Sequence, residues 1–405
     1  MKFLRLSWIR ERAALCVKER RLPYGFYKLK QFLKDVAFRP LVHLARFAFA
    51  FCYPLDFLRC YLGYRYRLRR RGGRPQAVEY DLVFVIKKKA PGWILEGICR
   101  EVGKYFPGRQ TLHYADGGFK LPPSKAYFFS HYSFFSKCFR HTPEIWGAKT
   151  LVWFPHPKQA GGGETRRLLF ALNRATHVVC PCSSNVPLLE SRGLKPGKAV
   201  CVLGGADPDF FKAHRRNGGA VGFCTAYYPR KSPNLMLEIM RAMPHRKFIL
   251  VGPASADPAN AHRKWDRYPR FKEMLALPNF TYIEGHYRDY PSYYDRMDVL
   301  ASVSTLEGGP IPLIEALMCN IVPVASRTGF APDVIRHGEN GFIFDVGSPA
   351  SVVCGLIEKA FELKADVRQS ADPELSWEHF SQQIQKLAGF TVPAALEKVL
   401  VDGRT

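Results

Sequence analysis

From Tyr80 to about Phe380, short apolar runs alternate with glycine- or proline-broken turns and with stretches whose apolar positions recur three and four apart. Such runs read as strands buried on both faces, and the stretches between them as covering helices, the alternation that parallel sheets require. Tyr80 to Ile86 opens the series as a strand, Lys87 to Trp93 follows as a loop, and Ile94 to Tyr105 as a helix. Tyr127 to His131 and Thr150 to His156 read as two further strand ends, each carrying a histidine. In the second half, Val221 to Phe223, Phe248 to Pro253, Val299 to Ser304 and Ile321 to Val324 are predicted strands. Open parallel sheets bind ligands at the carboxyl ends of their strands, which directs attention to His156 and, as a fallback, to His131.

Between two of those strands, the segment Thr305 to Leu317 places Glu307 and Glu315 eight positions apart across a loop that runs into a helix predicted at Pro312 to Cys319. Gly308 and Gly309 let the backbone turn sharply, and Pro312 suits an early helical position. A helix start offers unpaired N–H groups and partial positive charge, and glycines admit an anion close to the backbone, so the loop suits a diphosphate. Glu315 then reaches ribose hydroxyls and Glu307 a sugar. An isolated Glu pair would ordinarily be a helix-capping acid and a solvated helix residue. A solvated helix needs neither Glu-Gly-Gly-Pro before it nor the apolar strand Ile321 to Val324 after it.

That segment, continued by Asn320 to Ser326 and by Gly338 to Phe344, resembles family 4 of the retaining glycosyltransferases of the GT-B fold. Further parts come in order: His177 to Ser183 looks like the strand and serine closing that family's first domain, Gly205 to Phe210 like its interdomain connection, and Tyr228 to Pro233 like a donor-side loop. The resemblance spans roughly Tyr80 to Phe380 and is carried chiefly by the second half. It implies an α/β chain of two Rossmann-like domains facing a cleft: an acceptor domain over 79–212, a nucleotide-sugar domain over 213–375, and a segment over 376–405 that crosses back. It assigns Glu307, His156, Arg230 and Lys231 to catalysis, with His156 touching the transferred sugar or acceptor and the two cations neutralising the donor diphosphate. Glu315, Gly308, Gly309 and Ile311 would hold the nucleotide, Gly92 would lie against the sugar donor, and Gly285 and His286 would read the base. Two positions depart from the pattern. Ala226 stands where the family commonly has an Arg five positions before its Lys, and Pro310 replaces a frequent glycine and removes an N–H from the cradle.

The activity so implied is a retaining, metal-independent transfer from a nucleotide sugar to a hydroxyl of a glycan or lipid-linked acceptor, in cell-envelope polysaccharide, lipopolysaccharide or glycolipid synthesis. No cofactor is expected beyond the donor as substrate. Asp207-Pro208-Asp209 matches a metal-binding Asp-x-Asp, but its place beside Phe210 and Phe211 favours a turn. Two alternatives stay open: a GT-B-like binding protein without turnover, and a sugar-nucleotide epimerase of similar fold.

Composition adds the outer limits. The 405 residues suffice for two core-bearing domains, and 47% hydrophobic with 23% charged content excludes a disordered chain. The 11 cysteines, single apart from Cys180-Pro181-Cys182, show no zinc spacing and read as buried thiols in a reducing cytosol. Charges every few residues from Met1 to Arg21 predict no signal peptide. The net charge of +25 is unevenly placed, with 19 Lys/Arg against 4 Asp/Glu from Met1 to Pro75. Phe26, Leu29, Leu33 and Val36 repeat at helical spacing among Lys28, Lys30 and Lys34, and Phe47 to Leu55 is uncharged but too short to span a bilayer core of about 30 Å. The extension over 1–78 is therefore read as a basic amphipathic element for an anionic membrane surface, which puts the protein in the cytoplasm on the inner face of the cytoplasmic membrane. Packing on the next domain, or a plain solvated basic face, is the other reading. Nucleic acid is not an expected partner, since no zinc finger, helix-turn-helix or aromatic RNA-binding signature is present.

Overall fold

The structure, a computed structural model, describes residues 55, 57–73, 77–86, 94–115, 120–157, 162–253, 264–369 and 374–390. Two compact units divide the chain, Met1–Arg59 and Cys60–Thr405. The larger one holds two six-stranded sheets, parallel throughout. The first comprises β1 (Tyr80–Ile86), β2 (Gln110–Tyr114), β3 (Ser124–Phe129), β4 (Lys149–Trp153), β5 (His177–Cys180) and β6 (Ala199–Cys201) in the order 2-1-3-4-5-6. The second comprises β7 (Ala220–Cys224), β8 (Phe248–Pro253), β9 (Phe280–Gly285), β10 (Met297–Ser302), β11 (Val322–Ser326) and β12 (Phe342–Phe344) in the order 12-11-10-7-8-9. In each sheet the chain leaves its first strand to one side and later returns to the other. The reversals fall between β1 and β3 and between β7 and β10, and a crevice opens at the carboxyl ends of such strand pairs.

The central strands are buried on both faces. Leu82 to Ile86 are wholly inaccessible, with Phe84 edge-on to Phe128 at 5.7 Å, and in the second sheet Phe223 stacks on Phe248 at 6.1 Å. Continuous Val/Ile/Leu/Phe runs are what a sheet covered on both sides demands. β2 breaks that rule: its Gln-Thr-Leu-His-Tyr is half-buried at a sheet edge, which is why no apolar run announces it.

After the second sheet the chain returns to the first. Ser376 caps the helix Trp377–Ala388 by accepting from the His379 N–H at 3.1 Å, and the helix sets Phe380 against Trp153 of β4 at 5.5 Å. Gln385 donates to the Tyr105 carbonyl at 3.1 Å, and Phe390 packs on Phe106 at 5.0 Å. The outgoing and returning strands pair at Ala206 and Ser376. Arg368 ties the crossing down, donating to the carbonyls of Phe211 at 2.6 Å, Pro208 at 3.0 Å and Met318.

The N-terminal extension divides differently from the sequence reading. Residues 57–70 are helical, and the part from 60 to 70 belongs with the main body, where Tyr61 packs on Trp146 at 5.2 Å. The amphipathic stretch Phe26 to Val36 and the uncharged run up to Pro54 lie outside the described residues. Among the described residues no helix is long and apolar enough to cross a membrane.

A Cβ on Gly205 would lie 2.5 Å from the backbone carbon of Ser376, in the two-stranded crossing itself. Gly205→Ala is expected to cost about 1–3 kcal/mol, as overpacking against immovable backbone does. Denaturant melts of the two proteins measure this directly, and equal midpoints would show that the crossing yields without cost.

Candidate active site

Two loops meet at the β7/β10 reversal. After β7, Pro229–Lys231 makes one 3-10 turn that ends on Ser232 in the left-handed region (φ 53) before the helix Pro233–Ala242 begins. After β10, Thr305 ties its own loop to that turn, its N–H and hydroxyl donating to the Arg230 carbonyl at 2.7 and 3.2 Å. The backbone stitch brings three charges together. Arg230 donates through Nη1 to Glu307 Oε2 at 3.0 Å and to the Leu306 carbonyl at 2.6 Å, and Lys231 donates to Glu307 Oε1. Only 7% of Glu307 is exposed. Burial pushes its carboxyl upward, but Lys231 and Arg230 outweigh that and hold it below the usual carboxylate range. Glu307 therefore does not stand open toward a sugar in this state; both its oxygens are engaged by the cations.

The next residue meets the first domain. A Cβ on Gly308 would fall 1.3 Å from the Pro155 carbonyl oxygen beyond β4, so only glycine fits there, and one on Gly309 would lie 2.8 Å from the Phe330 ring. That contact places His156, half-buried with Nδ1 3.3 Å from the Pro157 carbonyl, next in sequence to the residue that meets the Glu307 loop. His131 is used structurally: its Nδ1 accepts from the Ser133 N–H at 3.1 Å and caps the helix Tyr132–His141. Among the described residues the N–H groups of Gly308 and Gly309 have no hydrogen-bond partner. Ile311 differs, since its N–H turns back to the Gly309 carbonyl at 2.9 Å and its buried side chain faces Gly204. The cradle is accordingly narrower than the motif suggested, and the helix behind it, Pro312–Met318, is short.

Glu315 on that helix is 2% exposed, so the solvated alternative does not hold. The Tyr294 hydroxyl donates to its Oε2 at 2.6 Å, and burial pushes its carboxyl up to about 7. Gly285 closes β9 against Val251, where a Cβ would sit 2.6 Å from the Val251 methyl, and His286 is exposed after it at the start of the turn Tyr287–Asp289. Gly92 lies outside the described residues. Asp207 spends its carboxylate on the N–H groups of Asp209 at 2.9 Å and Phe210 at 3.2 Å, the turn that its surroundings suggested. A cavity of about 600 Å³ borders the same loops through Tyr227, Asn234, Tyr268 and Thr305, yet neither Glu307 nor Glu315 lines it.

The sequence did not reveal one contact. Ser183, at the carboxyl end of β5, donates both its N–H (3.1 Å) and its hydroxyl to the carboxylate of Asp333 on the turn Ala331–Val334 of the second domain. The two residues stand 150 positions apart, and no local pattern joins them.

The paired parallel sheets and the crossing helix are those of a GT-B protein. Residues 209–370 match the family described as Glycosyl transferases group 1. HepE of Anabaena, solved with UDP and glucose, is 14% identical with a TM-score of 0.61, covering 77% of this chain and 100% of that one. The lipopolysaccharide outer core galactosyltransferase WaaB is 11% identical with a TM-score of 0.54, covering 76% and 98%. N-acetyl-alpha-D-glucosaminyl L-malate synthase of Bacillus anthracis is 27% identical over 104 residues, which is 24% of this chain. The match spans about a quarter of that curated relative, 26% of its length.

The raised carboxyl of Glu315 sets a pH dependence. The unfolded chain releases this proton near 4.5 and the folded chain near 7, so the native state holds more protons in between and stability falls as pH rises through that window. The shift corresponds to about 3 kcal/mol. Glu315→Gln should remove that slope and be more stable than the parent protein at pH 8. Thermal melts between pH 4.5 and 8 read it, and parallel curves for the two proteins would show that Glu315 ionises normally.

Proposed function

We propose that the protein is a retaining, metal-independent glycosyltransferase that moves a sugar from a nucleotide-sugar donor to a hydroxyl of a glycan or lipid-linked acceptor, in cell-envelope polysaccharide or glycolipid synthesis. The observation that carries this reading is the convergence of Arg230 and Lys231 on Glu307 at the β7/β10 reversal, beside the glycines that face the first domain. Loss of a diphosphate leaves an oxocarbenium-like sugar, and the group that most needs stabilising is the departing anion. A guanidinium and an ammonium already positioned supply that charge, while Gly308 and Gly309 offer N–H donors. In this reading a donor diphosphate takes over the two cations, and Glu307 turns to the sugar. Glu315 receives the ribose, Gly285 and His286 the base, and His156 the sugar or acceptor. The names of HepE and WaaB support a sugar donor carrying UDP and an envelope glycan as acceptor, and they set the first compounds to try.

Arg230→Met and Lys231→Met together would strand Glu307 as a buried unpaired charge, so the test uses the pair in a Glu307→Gln background. Calorimetric titration should show a loss of more than about tenfold in affinity for UDP and an unchanged affinity for uridine, since the missing contacts are to phosphate. Equal loss for both ligands would remove the diphosphate assignment. In the parent protein, turnover of UDP-sugars should survive EDTA and the product should keep the donor's anomeric configuration by NMR. Inversion, or activity restored only by Mg²⁺ or Mn²⁺, would overturn the mechanism.

A further inference from the structure

The helix over residues 60–70 has two unlike faces. Cys60 is buried, Tyr61 packs on Trp146, and the Tyr64 hydroxyl lies 2.6 Å from where a Cβ on Gly147 would stand, so one side is fixed to the segment that leads into β4. The opposite side presents Leu62, 55% exposed, and Tyr66, 62% exposed. Around them Arg65, Arg67, Arg69 and Arg70 are exposed, and Arg70 lies 5.9 Å from the Tyr66 ring. Among the described residues none of these four arginines forms an ion pair, and no Asp or Glu occurs between Phe57 and Val78. Leu55 and Leu58, earlier in sequence, are exposed as well, and the apolar series 55, 58, 62, 66 keeps helical spacing.

Exposed leucine and tyrosine ringed by unpaired arginine suits a phase that is apolar within and anionic at its rim. A protein partner would have to match four adjacent cations with buried acids, and a nucleic acid would gain nothing from the leucines. We infer that the outer face of the helix over 60–70 is an interfacial docking element for an anionic lipid surface, with Leu62 and Tyr66 entering the headgroup boundary and the arginines on lipid phosphates. The anchor lies away from the site. Its contact segment, Pro143–Gly147, precedes the start of β4, whereas His156 follows that strand's carboxyl end. The helix therefore holds the protein on the membrane without forming part of the cleft, and the inference is independent of the proposed chemistry.

The test uses the full chain with vesicles of phosphatidylcholine alone or with about one third phosphatidylglycerol, read by cosedimentation and by hydrogen exchange of residues 60–70. Binding is expected to the anionic vesicles only, with slower exchange over 60–70. Each basic residue near such a surface contributes on the order of tenfold or less in affinity, so Arg65, Arg67, Arg69 and Arg70 changed together to Gln should weaken binding at least tenfold. Leu62→Ser with Tyr66→Ser should weaken the binding that persists in high salt, because salt does not screen the apolar contribution. Thermal melts without lipid should stay unchanged, since these side chains face water. Sedimentation with unchanged exchange over 60–70 would place the contact elsewhere in the chain and overturn the inference. Protection of 60–70 that depends on protein concentration without lipid would overturn it in favour of a second copy, and equal protection by RNA in favour of a general polyanion site.

Discussion

The pairing of the buried Glu307 with the partly buried Arg230 and Lys231 is the constraint on which the site depends. A carboxylate withdrawn from water is costly, and it persists in an interior only when it is matched and hydrogen-bonded. Here Glu307 takes both cations, Arg230 also spends a proton on the Leu306 carbonyl, and Thr305 binds the two loops through the Arg230 backbone. The arrangement fixes the positions of two strand-end loops that have no strand-to-strand pairing beyond Cys224 and Ser302. It also concentrates positive charge at the sheet's reversal point, two cations sharing one carboxylate. An arriving anion exchanges one partner for another rather than meeting bare cations, so little reorganisation of the loops is needed.

That cluster faces the other domain across a contact too tight for any side chain. The Pro155 carbonyl occupies the space a Cβ on Gly308 would need, Gly204 leaves room for Ile311, and Ser183 holds Asp333 with two hydrogen bonds. These contacts come from loops beyond the carboxyl ends of β4, β5, β6, β10 and β11, which is where crevices between parallel sheets form. The same glycines that give an anion access to the backbone thus also let the two domains meet. The helix Trp377–Ala388, anchored on Trp153 and Tyr105, supplies the third tie and makes the crossing at Gly205 a shared element of both domains.

Much of this was legible because it is local. β1 and β8 occur over the residues that their apolar runs indicate, Tyr80–Ile86 and Phe248–Pro253, since strands buried on both faces need an unbroken apolar sequence. The Glu307/Glu315 spacing and its Gly-Gly-Pro loop carry the site for the same reason. β2 and β6 were silent, one half-polar at an edge and the other three residues long. The Ser183–Asp333 pair and the Pro155–Gly308 approach exist only once two domains dock, and no periodicity in either segment encodes that. The turn that draws the Ile311 N–H to the Gly309 carbonyl was likewise not visible, because it depends on how the loop closes on itself.

The two glutamates of the motif end in opposite electrostatic settings, although one short helix carries the second directly behind the loop of the first. Both are buried, so desolvation pushes both upward; the difference lies in their partners. Lys231 and Arg230 keep Glu307 anionic, while Glu315, whose hydrogen-bond donor among the described residues is the Tyr294 hydroxyl, rises to about 7. Pairs of carboxyls driven apart in this way are suited to different tasks. Glu307 is a fixed negative charge that sets the position of two cations. Glu315 is a buried carboxyl raised by desolvation, with the Tyr294 hydroxyl donating to it. On the ribose reading, a diol brings hydroxyl donors that a carboxylate accepts and a carboxylic acid accepts less well. Binding there favours the ionised form, and occupancy of the site and release of the Glu315 proton are then coupled.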